Sequence, residues 1–425
     1  MAVIKSFKAL HFSNGDLSTL VCPPYDIISE AQRQEFIAVN PHNIVRLELP
    51  AGGEDRYQQA GLLLQEWLEQ GVLSKDERDG IYVYEMAFSA HGERQSVKGF
   101  ICLVKLEEFS KGVVLPHEET LSKAKTDRFN LMRETFCNFS SIYSLYMDED
   151  GQAFSLVDAC SHGKPDMEVT DGDGTTHRVW RVWDEAVLAK ITSVFYSKKL
   201  YIADGHHRYE TALNFHKHLC ETGVSDENSL SGYVSMMLVN MENSGLVVFP
   251  THRILHDLPD FDPKKLLECC GEYFHIAEEH GISQLETRLN TLYEQNEKAF
   301  ALYTGEDSYT LLVLKDPNAV KALLPGMSDA YCQLDVSILH SLVLERLLGI
   351  DKDNMARQVN LAYTRSIEEA ILSVRDGSAN CAFILSPTRV HEIRDVALAG
   401  EKMPQKSTYF YPKLITGMVM NKFSE

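Results

Sequence analysis

The sequence predicts a mixed α/β protein of the α+β type, built from more than one module. Short apolar runs of strand length alternate with longer segments in which apolar residues recur at helical spacing. A chain of 425 residues is too long for one ordinary core, so two or three α/β modules are expected. No repeat of fixed period is present, which argues against a solenoid.

The first predicted segment, residues 1–80, begins with short strands and turns. A helix follows over about Arg56–Gln70, because Leu63, Leu64, Trp67 and Leu68 recur on one face. Gly71 is the candidate residue that ends this helix.

The second segment, residues 81–256, opens with a predicted hairpin whose arms are Ile81–Tyr84 and Gly99–Val104, joined by a polar turn around His91–Glu93. Asp158–Gly174 is rich in turn residues and acidic, so a surface excursion is expected. Asp184 can cap a helix that runs to about Phe195. Strands are also expected at Ser141–Tyr146, Leu200–Ala203, Tyr233–Val239 and Leu246–Phe249.

The third segment, residues 257–425, is separated from the second by a break near His256–Phe261, where Pro259 interrupts the pattern. We expect the third segment to form a further α/β domain. Its expected helices are Pro263–Tyr273, Val336–Leu348 and Val390–Leu398, and its expected strands are Ala299–Tyr303, Thr310–Leu314 and Cys381–Leu385.

Composition and charge narrow the classes of function. The net charge of -20 argues against a nucleic-acid binder, because duplex binding needs a basic surface. The sequence contains no apolar run of about 18 uncharged residues, so no membrane span is predicted. The N-terminus also lacks the pattern of a secretory signal. Nine cysteines without a CxxC pair suit reduced thiols. We therefore expect a cytoplasmic protein that acts on small molecules, with a homodimer left open.

The clearest candidate site is the run Asp204-Gly205-His206-His207-Arg208, between the strand Leu200–Ala203 and a predicted helix. The first turn of a helix offers unpaired N–H groups to phosphate, and an arginine can grip phosphate oxygens. Gly205 permits a tight turn there. Asp204 could bind a metal or accept a proton. The alternative is a capping aspartate beside solvated histidines.

A second candidate is Pro116-His117-Glu118-Glu119, followed by Lys125, Asp127 and Arg128. A carboxylate beside a histidine could act as a general base with an orienting partner. Two solvated acids at the start of a helix are the simpler interpretation. Thr251-His252-Arg253 is a further possible anion contact, but a turn at a strand end is the preferred interpretation.

Together these two motifs resemble those of the ParB/sulfiredoxin-like superfamily, and within it the free serine kinases, which use ADP or pyrophosphate. In those enzymes a Pro-His-Glu segment supplies the catalytic glutamate, and a Val-Asp-Gly-His-His-Arg segment after a strand binds the phosphate-bearing ligand. The matching residues here are Pro116–Glu118 and Ala203–Arg208. The resemblance implies a ParB-like catalytic core of mixed sheet and helices within residues 81–256.

Nearly the whole chain also resembles a large microbial family long labelled a domain of unknown function. The C-terminal signature of that family is matched by residues 399–414, which include Lys406, Ser407 and Thr408. These three polar residues could reach an anionic ligand. The alternative is a strap that packs the following aromatic residues onto the core.

The resemblance implies transfer of a phosphoryl group from pyrophosphate or ADP to free L-serine, possibly in either direction. Glu118 would be the base and His117 its orienting partner. Asp204 would hold Mg²⁺ or assist proton transfer, and Gly205, His206, His207 and Arg208 would bind phosphate. Arg128 and Lys406–Thr408 are weaker candidates for ligand contacts. The alternatives are a ParB-like nucleotide-binding regulatory module and a metal-dependent phosphoserine phosphatase.

Overall fold

The structure, a computed structural model, describes residues 1–90, 92–120 and 122–423. The chain divides into two compact units. The first unit comprises Met1–Pro116, Thr120–Val247 and Pro412–Glu425, and the second comprises His117–Glu119 and Val248–Tyr411. This division differs from the expected boundaries at 80 and 256. The strand Ile4–Lys5 pairs with Leu103–Val104, so the N-terminal segment shares a sheet with residues that follow position 80.

The first unit contains eight α-helices and thirteen strands among the described residues. Its helices are α1 Leu17–Leu20, α2 Glu30–Val39, α3 Val45–Glu48, α4 Arg56–Glu69, α5 Ser122–Thr135, α6 Gln152–Ala159, α7 Glu185–Phe195 and α8 His206–Glu221, with 3₁₀ turns at Tyr25–Ile27, Phe109–Lys111 and Leu230–Gly232. Its strands are β1 Ile4–Lys5, β2 Leu10–Phe12, β3 Leu73–Lys75, β4 Ile81–Ala90, β5 Glu93–Lys105, β6 Val114–Leu115, β7 Cys137–Asn138, β8 Ile142–Tyr146, β9 Met167–Thr170, β10 Thr176–Val182, β11 Leu200–Asp204, β12 Tyr233–Asn240 and β21 Asn421–Lys422.

A nine-stranded mixed sheet organises the first unit. Its strand order is β6-β11-β8-β12-β5-β4-β10-β9, and β1 also pairs with β5. The pairs β6–β11 and β8–β12 are parallel, whereas the hairpin β4–β5 is antiparallel. Buried side chains from this sheet pack against α7 and α8 in one core, which includes Phe100, Phe195 and Phe215. The mixed sheet confirms the predicted α+β class.

Most elements expected in this unit are present. The hairpin arms are longer than predicted, and His91 of its turn lies outside the described residues. Asp184 caps α7 by accepting a hydrogen bond from the Val187 N–H, and Gly71 follows α4 with a φ of 69°. Asp158–Gly174, expected as a surface excursion, contains the strand β9, which pairs with β10.

The second unit has its own antiparallel sheet of six strands, in the order β15-β17-β16-β19-β14-β18. Its strands are β13 Val247–Phe249, which begins at the unit boundary, β14 His252–Leu255, β15 Phe274–His280, β16 Ala299–Tyr303, β17 Ser308–Leu314, β18 Leu361–Thr364, β19 Cys381–Leu385 and β20 Tyr409–Tyr411. Its helices are α9 Pro263–Cys270, α10 Leu285–Glu294, α11 Ala319–Leu323, α12 Asp329–Cys332, α13 Asp335–Ile338, α14 Lys352–Arg357, α15 Ile367–Arg375 and α16 Val390–Leu398, with a 3₁₀ turn at Ile282–Gln284 and a π-helix at Leu339–Leu347.

Two features of the second unit differ from expectation. The helix expected over Val336–Leu348 is an α-helical turn that continues as the π-helix. The run Thr251–Arg253, interpreted as a turn, instead enters β14, which lies between β18 and β19. Among the described residues of both units, no helix has the length and apolar character needed to cross a membrane.

Candidate functional site

The predicted strand-to-helix junction is present at β11 and α8. The strand is buried through Ala203, and Gly205 takes a φ of 97° at the N-cap of α8. The helix then buries Tyr209, Ala212, Leu213, Phe215 and Leu219 on its inner face. Burial of both elements therefore fixes Asp204 at the strand end and His206–Arg208 in the first turn of the helix.

Asp204 is held between two cations of the first unit. Its Oδ2 accepts a hydrogen bond of 2.6 Å from Nη2 of Arg208, and its Oδ1 accepts one from Nζ of Lys413. Burial alone would raise the pKa of Asp204, but the charges of Lys413 and Arg208 outweigh it and hold the pKa well below the usual range. Asp204 is therefore a carboxylate at neutral pH, paired with both cations.

Arg208 is positioned by main chain as well as by charge. Its Nη1 donates to the Ser141 carbonyl oxygen at 2.6 Å. A Cβ atom at Gly205 would lie 2.9 Å from Nε and Nη2 of Arg208 and 3.0 Å from its Cζ. The glycine is therefore needed for the close approach of this guanidinium and for its own positive φ. We refer to Asp204, Arg208 and Lys413 as the Asp204 cluster.

The two histidines of the motif occupy the first turn of α8, as expected. His206 is 4% exposed, and its charge also contributes to the lowered pKa of Asp204. His207 is half-buried. Both lie beside the helix N-terminus, where N–H groups and the positive end of the helix dipole favour an anion.

A second layer of charges lies next to Arg208 in the first unit. A small cavity there is lined by Arg208, Arg128, Glu48 and Ser140. Ser140 donates to Glu48 at 3.0 Å. Burial raises the pKa of Glu48, while Arg128 and Arg208 lower it. Burial likewise raises the pKa of Tyr25 to about 12 against the opposing effect of the same two arginines.

Arg128, expected as a ligand contact, is committed to partners of its own unit. It is 5% exposed, and its Nε and Nη2 donate to Oδ2 of Asp127 at 2.8 and 2.6 Å. Its Nη1 donates to the main chain of Glu48, and its guanidinium lies 4.1 Å from the centre of the Tyr25 ring. These contacts favour a structural role, because ligand binding would have to break several of them.

The Pro-His-Glu segment contributes His117 and Glu118 to the second unit. His117 is 2% exposed. Its Nε2 lies 3.0 Å from Oγ1 of Thr408, and its carbonyl accepts from the Met403 N–H at 2.7 Å. Glu118 is half-buried, and its charge raises the pKa of Tyr363. The segment therefore lies against the C-terminal residues that the sequence also singled out.

The three polar residues 406–408 differ in their surroundings. Thr408 contacts His117. Ser407 is buried and donates to the Pro404 carbonyl, so it closes a turn of the chain. Lys406 has a φ of 56° and an exposed side chain. Contact with a ligand remains a prediction for all three.

Mg²⁺ binding at Asp204 remains a prediction, on which the contacts of this carboxylate bear. Among the described residues, no group of three or more His, Cys, Asp or Glu side chains could hold a metal ion. Both oxygens of Asp204 are taken by cations, which a divalent ion would have to displace. The role of Asp204 as a metal ligand is therefore not supported by its contacts.

Lys413 and Glu48 are two residues of the site that were not predicted from the sequence. Lys413 lies inside the C-terminal signature, five residues beyond Thr408, but no local pattern links it to Asp204. Glu48 ends α3 and is 3% exposed. A charged residue between apolar neighbours, as in Leu47-Glu48-Leu49, was the available signal, because such residues are seldom buried without partners.

Both motifs lie in a region of the chain that matches a known protein family. A family described as "Protein of unknown function (DUF1015)" matches residues 4–337. The chain belongs to this family. The matched region contains both the Pro-His-Glu segment and the residues Asp204–Arg208. No curated protein sequence matches the chain.

Several solved structures are similar to this DUF1015 protein at low identity. A free serine kinase in complex with AMP is 14% identical with a TM-score of 0.36, covering 74% of this chain and 90% of its own. A conserved hypothetical protein from Pyrococcus furiosus is 15% identical with a TM-score of 0.34, covering 75% and 94%. SbnI from Staphylococcus aureus, truncated at its C-terminus, is 12% identical with a TM-score of 0.35, covering 75% and 86%.

Proposed function

We propose that this DUF1015 protein is a phosphotransferase that moves a phosphoryl group from pyrophosphate or ADP to free L-serine, giving O-phospho-L-serine. The observation that carries the proposal is the Asp204 cluster at the N-terminus of α8. The same strand-to-helix residues carry the likeness to the free serine kinases of the ParB/sulfiredoxin-like superfamily. The acceptor, the donor and the superfamily are parts of the proposal.

The Asp204 cluster supplies what a phosphate-bearing ligand requires. Two cations, Arg208 and Lys413, contact one carboxylate at the start of a helix. Nη1 of Arg208 donates to the Ser141 carbonyl and Nη2 donates to Asp204. The guanidinium has five N–H groups, so others remain as donors for phosphate oxygens. The N–H groups of the first turn of α8 add donors without the cost of ordering a loop. His206 and His207 extend this set of donors.

The proposed chemistry is an in-line transfer. Glu118 takes the proton of the serine hydroxyl, and the serine oxygen forms a bond to the phosphorus of the donor. The bond from that phosphorus to the bridging oxygen breaks, releasing phosphate from pyrophosphate or AMP from ADP. The cations and the helix N-terminus stabilise the charge that gathers on the phosphoryl oxygens. The same steps in reverse make serine from phosphoserine.

His117 is proposed to position Glu118 and not to touch the substrate. Its ring is fixed by Thr408 and packs edge-on against Phe410, with ring centres 6.3 Å apart. Its carbonyl is fixed by the main chain of Met403. A base held on so constrained a segment loses little freedom when it meets the substrate. Mg²⁺ remains a prediction of the resemblance, and no step of this proposal depends on it.

Product analysis tests the proposal directly. Purified protein is incubated with L-serine and, in separate reactions, pyrophosphate, ADP, ATP or no donor, with and without Mg²⁺. Mass spectrometry then measures phosphoserine and ³¹P NMR measures free phosphate. We expect phosphoserine with pyrophosphate or ADP. Phosphate release without phosphoserine would assign a hydrolase, and ligand binding without any product would assign a regulatory module.

Replacing the proposed base gives the sharper kinetic test. Glu118→Gln should lower turnover by about two orders of magnitude or more, because an amide cannot accept the serine proton. The matched control is Glu119→Gln, whose exposed carboxylate pairs with Lys402 at 3.1 Å. Equal activity in the two variants would remove Glu118 from the mechanism.

The phosphate-binding role of Arg208 is tested by two titrations. Arg208→Ala should weaken binding of phosphoserine about tenfold or more, while serine binding changes little, since the guanidinium is proposed to meet phosphate alone. Calorimetry with each ligand measures both affinities. Arg178→Ala is the control, because that arginine pairs with Glu85 and Glu168 elsewhere in the first unit. Equal weakening for serine and phosphoserine would indicate a structural role for Arg208.

A further inference from the structure

A cavity of about 760 Å³ lies within the second unit. This volume is in the range of small-molecule binding sites. None of its lining residues belongs to the Asp204 cluster, which is part of the first unit. Its lining includes six residues with largely apolar side chains, which we call the apolar wall: Met327, Tyr331, Met355, Ala356, Met403 and Pro404.

The π-helix Leu339–Leu347 places two polar residues in this cavity. A π-helix is hydrogen-bonded between residues five apart, so His340 and Glu345 come onto nearly the same face. Both line the cavity. In an α-helix, residues five apart would be turned away from each other by more than a third of a turn. Irregular helical turns of this kind are frequent at functional sites.

A buried guanidinium lies next to His340 of the cavity lining. Arg253 lies behind it, 1% exposed, and donates to Nε2 of His340 at 3.3 Å and to the Lys406 carbonyl at 3.2 Å. No carboxylate of the described ranges lies within ion-pair distance of this guanidinium. Burial lowers the pKa of Arg253 to about 10, so it stays charged at neutral pH. A buried cation with no carboxylate partner favours a nearby anion.

Tyr363, beside this guanidinium, adds an unused hydroxyl. It pairs with Arg253 across β14 and β18, its ring centre lies 5.3 Å from the guanidinium, and it lines the cavity. Its buried hydroxyl has no hydrogen-bond partner among residues 1–90, 92–120 and 122–423. Burial raises the pKa of Tyr363, and Arg253 opposes this more strongly than Glu118 adds to it. The hydroxyl therefore keeps its proton and can donate it to a ligand oxygen.

Glu345 is an acidic residue of the cavity lining. The other lining acids have partners: Glu119 pairs with Lys402 at 3.1 Å, Asp353 pairs with Arg357, and Glu401 accepts from Ser328. Within the described part of the chain, no cation lies at ion-pair distance from Glu345. Burial raises its pKa, and the nearby Lys352 opposes this. A cationic group of a ligand would supply the missing partner.

We propose that this cavity binds a zwitterionic ligand with a large apolar side chain, either a free α-amino acid or a short peptide. Its ammonium group meets Glu345, its carboxylate meets Tyr363 at the Arg253–His340 end, and its side chain packs on the apolar wall. Serine lacks such a side chain, so the proposed ligand differs from the acceptor of the proposed reaction, and the proposal does not rest on that reaction.

Calorimetry on the full-length protein tests the ligand class. The panel comprises L-phenylalanine, L-methionine, the dipeptide Met-Phe and L-serine, together with phenethylamine, which lacks the carboxylate, and N-acetyl-L-phenylalanine, which lacks the ammonium group. We expect saturable binding of phenylalanine, methionine or the dipeptide that saturating L-serine leaves unchanged, and about tenfold weaker binding of both single-charge analogues. Comparing the affinities of the free amino acids and the dipeptide shows which of the two kinds of ligand, amino acid or peptide, the cavity prefers. No saturable binding of any zwitterion, or equal binding of the single-charge analogues, would overturn the proposal.

Two conservative variants test which residue meets which charge. Glu345→Gln should weaken phenylalanine about tenfold and leave N-acetyl-L-phenylalanine unchanged, because that analogue has no ammonium group to lose. Tyr363→Phe should weaken phenylalanine and leave phenethylamine unchanged. Asp353→Asn is the control, since its carboxylate already pairs with Arg357. Circular dichroism and melting temperature check the fold. Variants that fold but weaken all three ligands equally would contradict the assignment.

Discussion

Two aspartates, one in each unit, show how differently burial acts on the same carboxyl group. Asp204 is held between Arg208 and Lys413 in the first unit, and its pKa lies well below the usual range. Asp335 begins α13 in the second unit, and its Oδ1 is buried with no hydrogen-bond partner among the described residues. Burial raises the pKa of Asp335 to about 7, against a smaller opposing effect of Lys298. Direct contact with a cation therefore decides the charge of a buried carboxyl group.

The two groups have opposite consequences for stability and pH. Asp204 has a lowered pKa in the folded state, so its contribution is fully present above about pH 4 and is lost as the pH falls further. Asp335 has a raised pKa in the folded state, so the folded form holds a proton that the unfolded form has lost between about pH 4 and pH 7. Stability should therefore fall as the pH rises through that range.

The largest expected effect comes from breaking the paired group. Asp204→Asn leaves Arg208 and Lys413 as neighbouring cations without their carboxylate, which should lower the free energy of unfolding by about 3 kcal/mol at pH 7. Urea unfolding of both proteins at pH 7 measures this difference. The difference should shrink as the pH falls below about 4, because the unfolded wild type then takes up a proton at this carboxyl group that the folded form still lacks.

The control for Asp204→Asn is an aspartate of an exposed ion pair. Asp307 is 99% exposed and pairs with Arg375 at 3.0 Å. Asp307→Asn should change stability by less than about 0.5 kcal/mol. If Asp204→Asn were as mild as this control, the Asp204 cluster would not be a strong element of the first unit.

A smaller effect of opposite sign is expected at the unpaired group. Asp335→Asn removes the carboxyl group that must ionise in a buried position, so the variant should be about 2 kcal/mol more stable than wild type at pH 8. Thermal unfolding between pH 4 and pH 8 should show that wild type loses stability with rising pH while the variant does not. Parallel pH profiles would show that Asp335 ionises without penalty.

The smallest expected effect concerns the glycine between Asp204 and α8. Gly205→Ala places a Cβ against Arg208 and strains a positive φ, whereas Gly223→Ala strains a φ of 74° with nothing within 4 Å of the new atom. Both should destabilise, and Gly205→Ala should cost about 1 kcal/mol more. Chemical unfolding of both variants measures this excess. Equal costs would mean that Arg208 moves aside freely and that the Asp204 cluster is less rigid than its contacts indicate.

Local elements were the most predictable part of the fold. The strand Cys381–Leu385 and the helix Val390–Leu398 have the bounds expected from apolar periodicity and helix-forming residues. The motif Asp204–Arg208 was placed correctly because strand, glycine and amphipathic helix follow one another directly. Such signals depend on neighbours within a few residues, which a single sequence displays.

Pairing between distant segments was not predictable in the same way. Thr251–Arg253 was interpreted as a turn from the sequence. In the structure, β14 pairs with β18 on one side and β19 on the other, so that Arg253 lies opposite both Tyr363 and Phe383. The π-helix was equally hidden, since its residues have the pattern of an ordinary helix. Strand pairing and helix irregularity depend on what packs against a segment, and no local pattern records this.

The sequence by itself determined the class of the fold, the position of the motif Asp204–Arg208 between strand and helix, and the resemblance from which a reaction is proposed. Only the tertiary structure decided the charges that act on that motif. Lys413, 209 residues from Asp204, contacts its carboxylate, whereas Asp335 has no such partner within the described residues. The reason is physical: a carboxyl group has the same intrinsic pKa wherever it occurs in the chain, and its charge when buried depends on which cation the fold brings within hydrogen-bonding distance.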